Sequence, residues 1–157
     1  SVSTAASSAA WKAIRASDGA LITPDGNGTT SGSIKLNVVS GKAVWDTTIT
    51  DQKDEGRGCS FTDITAGSAV GDAAKLVLMA LALMPDAALT GTGIDTTYGG
   101  DYFWFNNGAE ERLPFRGGGW SSGGGAGVFN LYLADSRAVA YWGFGGRSAF
   151  VELPAES

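Results

Sequence analysis

The residues able to do chemistry in this chain are few, and their types narrow what it can do. Asp101, Glu110 and Glu111 are close enough in sequence to suggest a carboxylate pair for proton transfer. Adjacent Glu110 and Glu111 would diverge on a strand or turn, so ordinary ion pairing is the expected role. Arg116, Arg137 and Arg147 stand in otherwise apolar segments. Five donors on a planar guanidinium suit them to tying irregular loops through carbonyl oxygens, with anion binding as the alternative. Asp25 and Asn27 lie among glycines, yet the ligand spacing and closing glutamate of a calcium loop are missing, so a plain turn is expected. There is no histidine, which removes imidazole-based triads, the usual zinc sites and imidazole pH switches together. Cys59 is the single cysteine, so no intrachain disulfide exists. No catalytic residue, metal site or cofactor is assigned.

What remains is recognition by ordinary side chains. The run Gly117 to Leu133 puts Trp120, Ser121, Ser122 and seven glycines before an alternating strand. A flexible tether is also rich in Gly and Ser, but it does not carry Trp, Val, Phe and Leu at this density. The glycines therefore read as conformational choices inside a folded body. Alternation places Phe129, Leu131 and Leu133 on one face, the core, and Asn130 and Tyr132 on the other, beside Ser121, Ser122 and Asp135. Tyr132, Tyr141 and Trp142 are the candidate anchors, because aromatic groups offer large area with few rotors. Trp120 reads as core.

Elements must position these residues. Ser3 to Ala16 is predicted as a short helix, with Trp11 and Ile14 on one side. Ala20 to Thr23 is a predicted strand, and Pro24 to Gly28 a turn. Ser33–Val39 and Ala43–Thr50 form a predicted hairpin in which Ile34, Leu36 and Val38 point inward and Lys35 and Asn37 outward. Asp51 to Arg57 is a charged, solvated loop. Phe61 to Thr65 is a predicted strand, and Gly71 to Met84 the main helix, apolar on most sides. Its densest apolar stretch, Ala73 to Met84, is too short to span a bilayer and ends at Pro85. Tyr102 to Phe105 is a strand stopped by Asn106-Asn107-Gly108.

Composition agrees with a packed body. At 157 residues, 43% hydrophobic and 17% charged, the chain can bury a core. A net charge of −5 with no Lys/Arg cluster argues against nucleic acid. Ser1 to Ala10 is small and polar, with no secretory signal expected, and one cysteine fits synthesis in a cytoplasm.

From Tyr98 to Val151 an ordered string of motifs can be followed. It runs through Tyr98-Gly99-Gly100-Asp101-Tyr102, Asn106-Asn107-Gly108 and Glu111 to Gly118. It continues with Trp120, Ala126-Gly127-Val128-Phe129, Leu131, Leu133, Arg137 and Gly146 to Phe150. This string resembles the C-type-lectin-fold domains of phage virion proteins, among them the variable targets of diversity-generating retroelements and related tail proteins. Asp63 to Ser68 and Ala80 to Pro85 look like the segment preceding such domains. The run Gly143-Phe144-Gly145-Gly146-Arg147 departs from the family's usual apolar residue, Gly, Phe and Arg in succession.

The resemblance implies an α+β, C-type-lectin-like fold with short antiparallel strands and one main helix. Residues 1–60 would be an N-terminal helix and β-hairpin extension for attachment, and residues 61–157 the lectin-like domain. It implies a non-enzymatic virion surface protein, made in the host cytoplasm, that binds a host receptor. The ligand-binding surface would comprise Ser121, Ser122, Asn130, Tyr132, Asp135, Tyr141 and Trp142. Its partners would be other virion proteins, a host cell-surface molecule and copies of itself, a trimer being the natural symmetry of a viral appendage. It implies neither nucleic-acid binding nor membrane insertion. The alternative is a structural capsid decoration or tail component with no receptor of its own. The formylglycine-generating enzymes share the fold, but their chemistry needs a cysteine pair, and Cys59 stands alone and outside the matching segment. The Glu-Pro-Asn or Gln-Pro-Asp loop and the Trp-Asn-Asp strand of calcium lectins are also missing.

Overall fold

The computed structural model describes residues 12–25, 30–86, 100–108, 112 and 114–135. They form an α+β fold of one helix and nine short strands. β1 (Ala13–Ile14) pairs antiparallel with β2 (Leu21–Ile22). β3 (Lys35–Val39) and β4 (Lys42–Asp46) make the expected hairpin, and β6 (Thr65–Ala66) joins β4 in parallel. The third sheet has the order β5 (Arg57–Ser60), β7 (Tyr102–Phe105), β9 (Leu131–Leu133), β8 (Phe115–Arg116). Within it β7 and β9 run parallel, so the strands are not uniformly antiparallel as expected.

One core joins these sheets to α1 (Asp72–Ala80). Phe61, Phe103, Phe105 and Leu131 are fully enclosed, with Ile64, Val70, Ala74 and Leu78 from the α1 side. The Phe103 ring lies 4.9 Å from Phe105 and 6.5 Å from Trp45, and the Trp45 indole donates to the Leu83 carbonyl at 2.8 Å. Aromatic side chains of β7 thus fasten the hairpin and the helix end to the third sheet. Among the described residues, no helix is long and apolar enough to cross a membrane.

Several elements differ from the sequence expectation. The predicted helix to Ala16 is not helical where described. Ile14 accepts from Ile34 N–H at 2.8 Å, and Gly71 N–H binds the Ala16 carbonyl at 2.8 Å, so sheet and helix partners fix this backbone as extended. Residues 1–11 lie outside the described residues. Phe61–Asp63 is a 3-10 turn rather than a strand. Asn37, expected outward, is buried, because its Oδ1 accepts from Thr50 N–H at 2.8 Å and Thr50 Oγ1 at 3.2 Å.

α1 stops at Ala80, short of the expected Met84. Ala82 takes φ +52°, in the left-handed region. Its N–H binds the Met79 carbonyl at 2.9 Å, and Leu83 N–H binds Leu78 at 2.8 Å. These two bonds form a Schellman ending, with alanine where glycine is usual.

Candidate functional site

The segment from Arg116 to Asp135 is held by contacts at both of its ends. At the start, the Arg116 guanidinium donates to the carbonyls of Leu81 at 2.9 Å and Ala82 at 2.5 Å. Carbonyls at a helix C-terminus lack intrahelical donors and carry partial negative charge, so a cation there is doubly favourable. Burial lowers the Arg116 pKa from the ordinary arginine value. Arg116 is therefore a tether, as its residue type suggested. Arg137 and Arg147 lie outside the described residues.

The loop then folds on itself. Gly119 N–H binds Ser122 Oγ at 2.9 Å while Ser122 N–H binds the Gly119 carbonyl at 3.0 Å. A 3-10 turn follows over Gly123–Gly125. Gly118 has φ +77°, and an added Cβ would sit 2.9 Å from Ala126 Cβ, so glycine is required there both for conformation and for room. Asn130 closes the loop. Its Nδ2 donates to the Gly125 carbonyl at 2.6 Å, and its own N–H binds Gly127 at 3.1 Å. At the far end the Asp101 carboxylate accepts from Phe129 N–H at 2.6 Å.

The candidate residues divide accordingly. Ser121 and Ser122 are exposed, although the Ser122 hydroxyl is engaged in the turn. Tyr132 is half-buried, its ring 6.3 Å from Phe115, and Asp135 is half-buried. Asn130 corrects the expectation of an outward side chain. It is 7% exposed, because it stands one residue before β9 and its amide caps the loop instead of following strand alternation. Leu131 and Leu133 do face the core. Tyr141 and Trp142 lie outside the described residues, as do Glu110 and Glu111.

Trp120 also corrects its expectation. Read as core, it is 77% exposed at the loop tip, and Val128 is 81% exposed. The sequence held a signal for this, since Trp120 is flanked by glycines at 117–119 on one side and by residues 121–125, all Ser and Gly, on the other. From Gly117 to Ala134 there is no charged residue. The surface is thus uncharged, hydrogen-bonded through its own backbone and crowned by apolar side chains.

No protein-family model matches this chain, and no curated protein does. The chemistry of the site therefore rests on its own residues. Among the described residues, no group of three or more Cys, Asp or Glu side chains could hold a metal ion. Asp101, one of the three carboxylates considered for proton transfer, is 3% exposed and bonded to a backbone amide. Burial raises the Cys59 pKa, which disfavours its thiolate. A concavity of about 390 Å3 is lined by apolar side chains such as Ile34, Trp45, Leu78 and Leu133 together with Lys12 and Arg112.

Proposed function

We propose that this chain is a non-enzymatic surface protein of a bacteriophage particle, built on a C-type-lectin-like fold, that recognises a host surface molecule through the 117–135 segment. The observation that carries this reading is the outward presentation of Trp120 and Val128, 77% and 81% exposed, on a loop tied down at both ends. At these exposures most of each side chain's apolar surface stays in water, and a partner that covers it gains its burial. The motif string from Tyr98 to Val151 supports the same reading.

Trp120 is the principal anchor, with Ser121, Tyr132 and Asp135 of the same segment contributing and Tyr141 and Trp142 added on the resemblance. Ser122 and Asn130 shape the loop. Each site is small, so many copies on one particle, within trimers or other homo-oligomers joined to neighbouring virion proteins, would supply avidity. A second reading, a decoration or tail component without a receptor, is favoured by one observation. Leu76 of α1 and Leu81 just past its end are 63% and 52% exposed and would suit a neighbouring subunit.

Electron microscopy of the intact particle, with the chain located by a specific antibody fragment, separates the two. Location at the tail tip, together with blocked adsorption when Trp120 is covered, supports recognition. A chain spread over the head, with adsorption unaffected, overturns it.

A further inference from the structure

We infer that Asp101 is the positioning residue of the recognition loop, setting 117–128 in its displayed form before any partner arrives. Its purpose rests on the recognition reading above; its test does not.

Asp101 immediately precedes the aromatic strand β7 and is 3% exposed. It works in two directions. Its backbone carbonyl accepts from Phe61 N–H at 2.8 Å, and Phe61 is fully buried. Its carboxylate accepts from Phe129 N–H at 2.6 Å, at the point where the loop turns into β9. The Phe61 and Phe129 rings lie 5.5 Å apart, so the same two residues meet through side chains as well. A charge-assisted bond to a backbone amide is short and about twice as strong as a neutral one.

Gly127 supplies an independent sign that the loop is fitted around this carboxylate. Its φ lies outside the left-handed region, so conformation does not demand glycine there. A Cβ at this position would fall inside the Asp101 carboxylate. The glycine provides the space the carboxylate occupies. The bonds Gly119 with Ser122, Gly123 with Ala126 and Asn130 with Gly125 join loop residues to one another. They fix its shape, while Asp101 and Arg116 bond it to residues outside it, Asp101 at Phe129, where the loop leads into β9.

The test is a double-mutant cycle read by amide hydrogen exchange. Asp101→Ala should speed exchange of the Phe129 amide and of residues 117–126 by roughly tenfold to a hundredfold, the range expected for a lost charge-assisted bond. The Val38 and Trp45 amides in the distant hairpin should stay within about threefold, since the opening is local. Gly127→Ala should speed the same loop amides, because it expels the carboxylate from the other side. In the Asp101→Ala background Gly127→Ala should add little, under about threefold, since its clash is gone. Asp101→Asn keeps an acceptor but no charge and should fall between wild type and Asp101→Ala.

An unchanged Phe129 amide in Asp101→Ala overturns the inference. So does a Gly127→Ala effect of equal size with and without the carboxylate. If Asp101→Ala fails to fold, Gly127→Ala and Asp101→Asn carry the test, and unmoved loop amides in both overturn it. Cell binding by the same variants reports separately on recognition. Faster loop exchange with unaltered binding upholds the positioning role and counts against the recognition reading.

Discussion

Asn107→Ala should be among the most damaging single changes outside the apolar core. Asn107 is 5% exposed and saturates its amide. Its Oδ1 accepts from Lys53 N–H at 3.2 Å and from the Arg57 guanidinium. Its Nδ2 donates to the carbonyls of Asp51 at 2.7 Å and Leu36 at 3.3 Å. It thus ties the end of β7 to the hairpin and to the 51–57 loop. The guanidinium it meets also binds Asp51 Oδ2 at 2.7 Å and lies 6.0 Å from the Phe105 ring centroid. Each neutral bond is worth about 1 kcal/mol net, and the one to arginine about 1.5–3 kcal/mol. Water entering the vacated space recovers part of this. The expected loss is therefore about 3 kcal/mol, a large share of a total near 5–15 kcal/mol. Urea denaturation should show it as a lower midpoint with an unchanged slope, and thermal unfolding as a fall of about 6–12 °C. Asn107→Asp retains both acceptor contacts but sets a buried carboxylate oxygen against two carbonyls, so it should destabilise as well. A loss under about 1 kcal/mol for Asn107→Ala would refute the view that this amide fastens the two sheets together.

Three further outcomes are expected. Ala82→Gly should stabilise the chain by about 0.5–1 kcal/mol, because it relieves a left-handed alanine at the end of α1 at some cost in unfolded-state entropy; destabilisation in urea would contradict the Schellman ending. Asp18, gripped by Arg15 through bonds of 2.8 and 2.5 Å, has its pKa lowered from 3.8 to about 2. Stability linked to it is present above 3.8 and lost as pH falls through about 2, so an NMR titration should find that low midpoint and Arg15→Ala should raise it. Cys59 is buried with its pKa raised, so a disulfide reagent should modify it only on unfolding; rapid labelling of the native protein would contradict that burial.

Local pattern was legible where one strong periodicity dominated. The β3–β4 hairpin followed its alternation and glycine turn, and Tyr102–Phe105 followed its aromatic run. Polar side chains broke the reading. Asn37, Asn107 and Asn130 look like surface or turn residues, yet each is buried: backbone groups 13 and 56 residues away bond Asn37 and Asn107, and the Gly125 carbonyl in its own loop bonds Asn130. The end of α1 carried no glycine to mark it, and Arg116, 34 residues downstream of Ala82, supplies the carbonyls' donor. The two-residue strand β1 owes its form to Ile34 and Leu21, not to its own residues. In the candidate site, the arginine tether was readable from residue type. The exposure of Trp120 is easily overlooked, because a tryptophan near apolar strands is usually core, whereas its immediate neighbours are serines and glycines whose hydrogen bonds shape the turn.

The 117–135 segment is read as a ready-made recognition surface with Trp120 exposed on it and Asp135, at its end, as its one charged side chain. The most direct measurement is binding of the purified, fluorescently labelled and multimerised chain to intact host cells, wild type beside Trp120→Ala, at low and high salt. The account predicts saturable binding that falls at least about tenfold in Trp120→Ala, as for an interface anchor, while the urea midpoint stays unchanged. Binding should change little with salt, because the 117–134 stretch carries no charge and Asp135 is the one charged side chain of the surface. Equal binding by the two proteins, or binding abolished by salt, would contradict it.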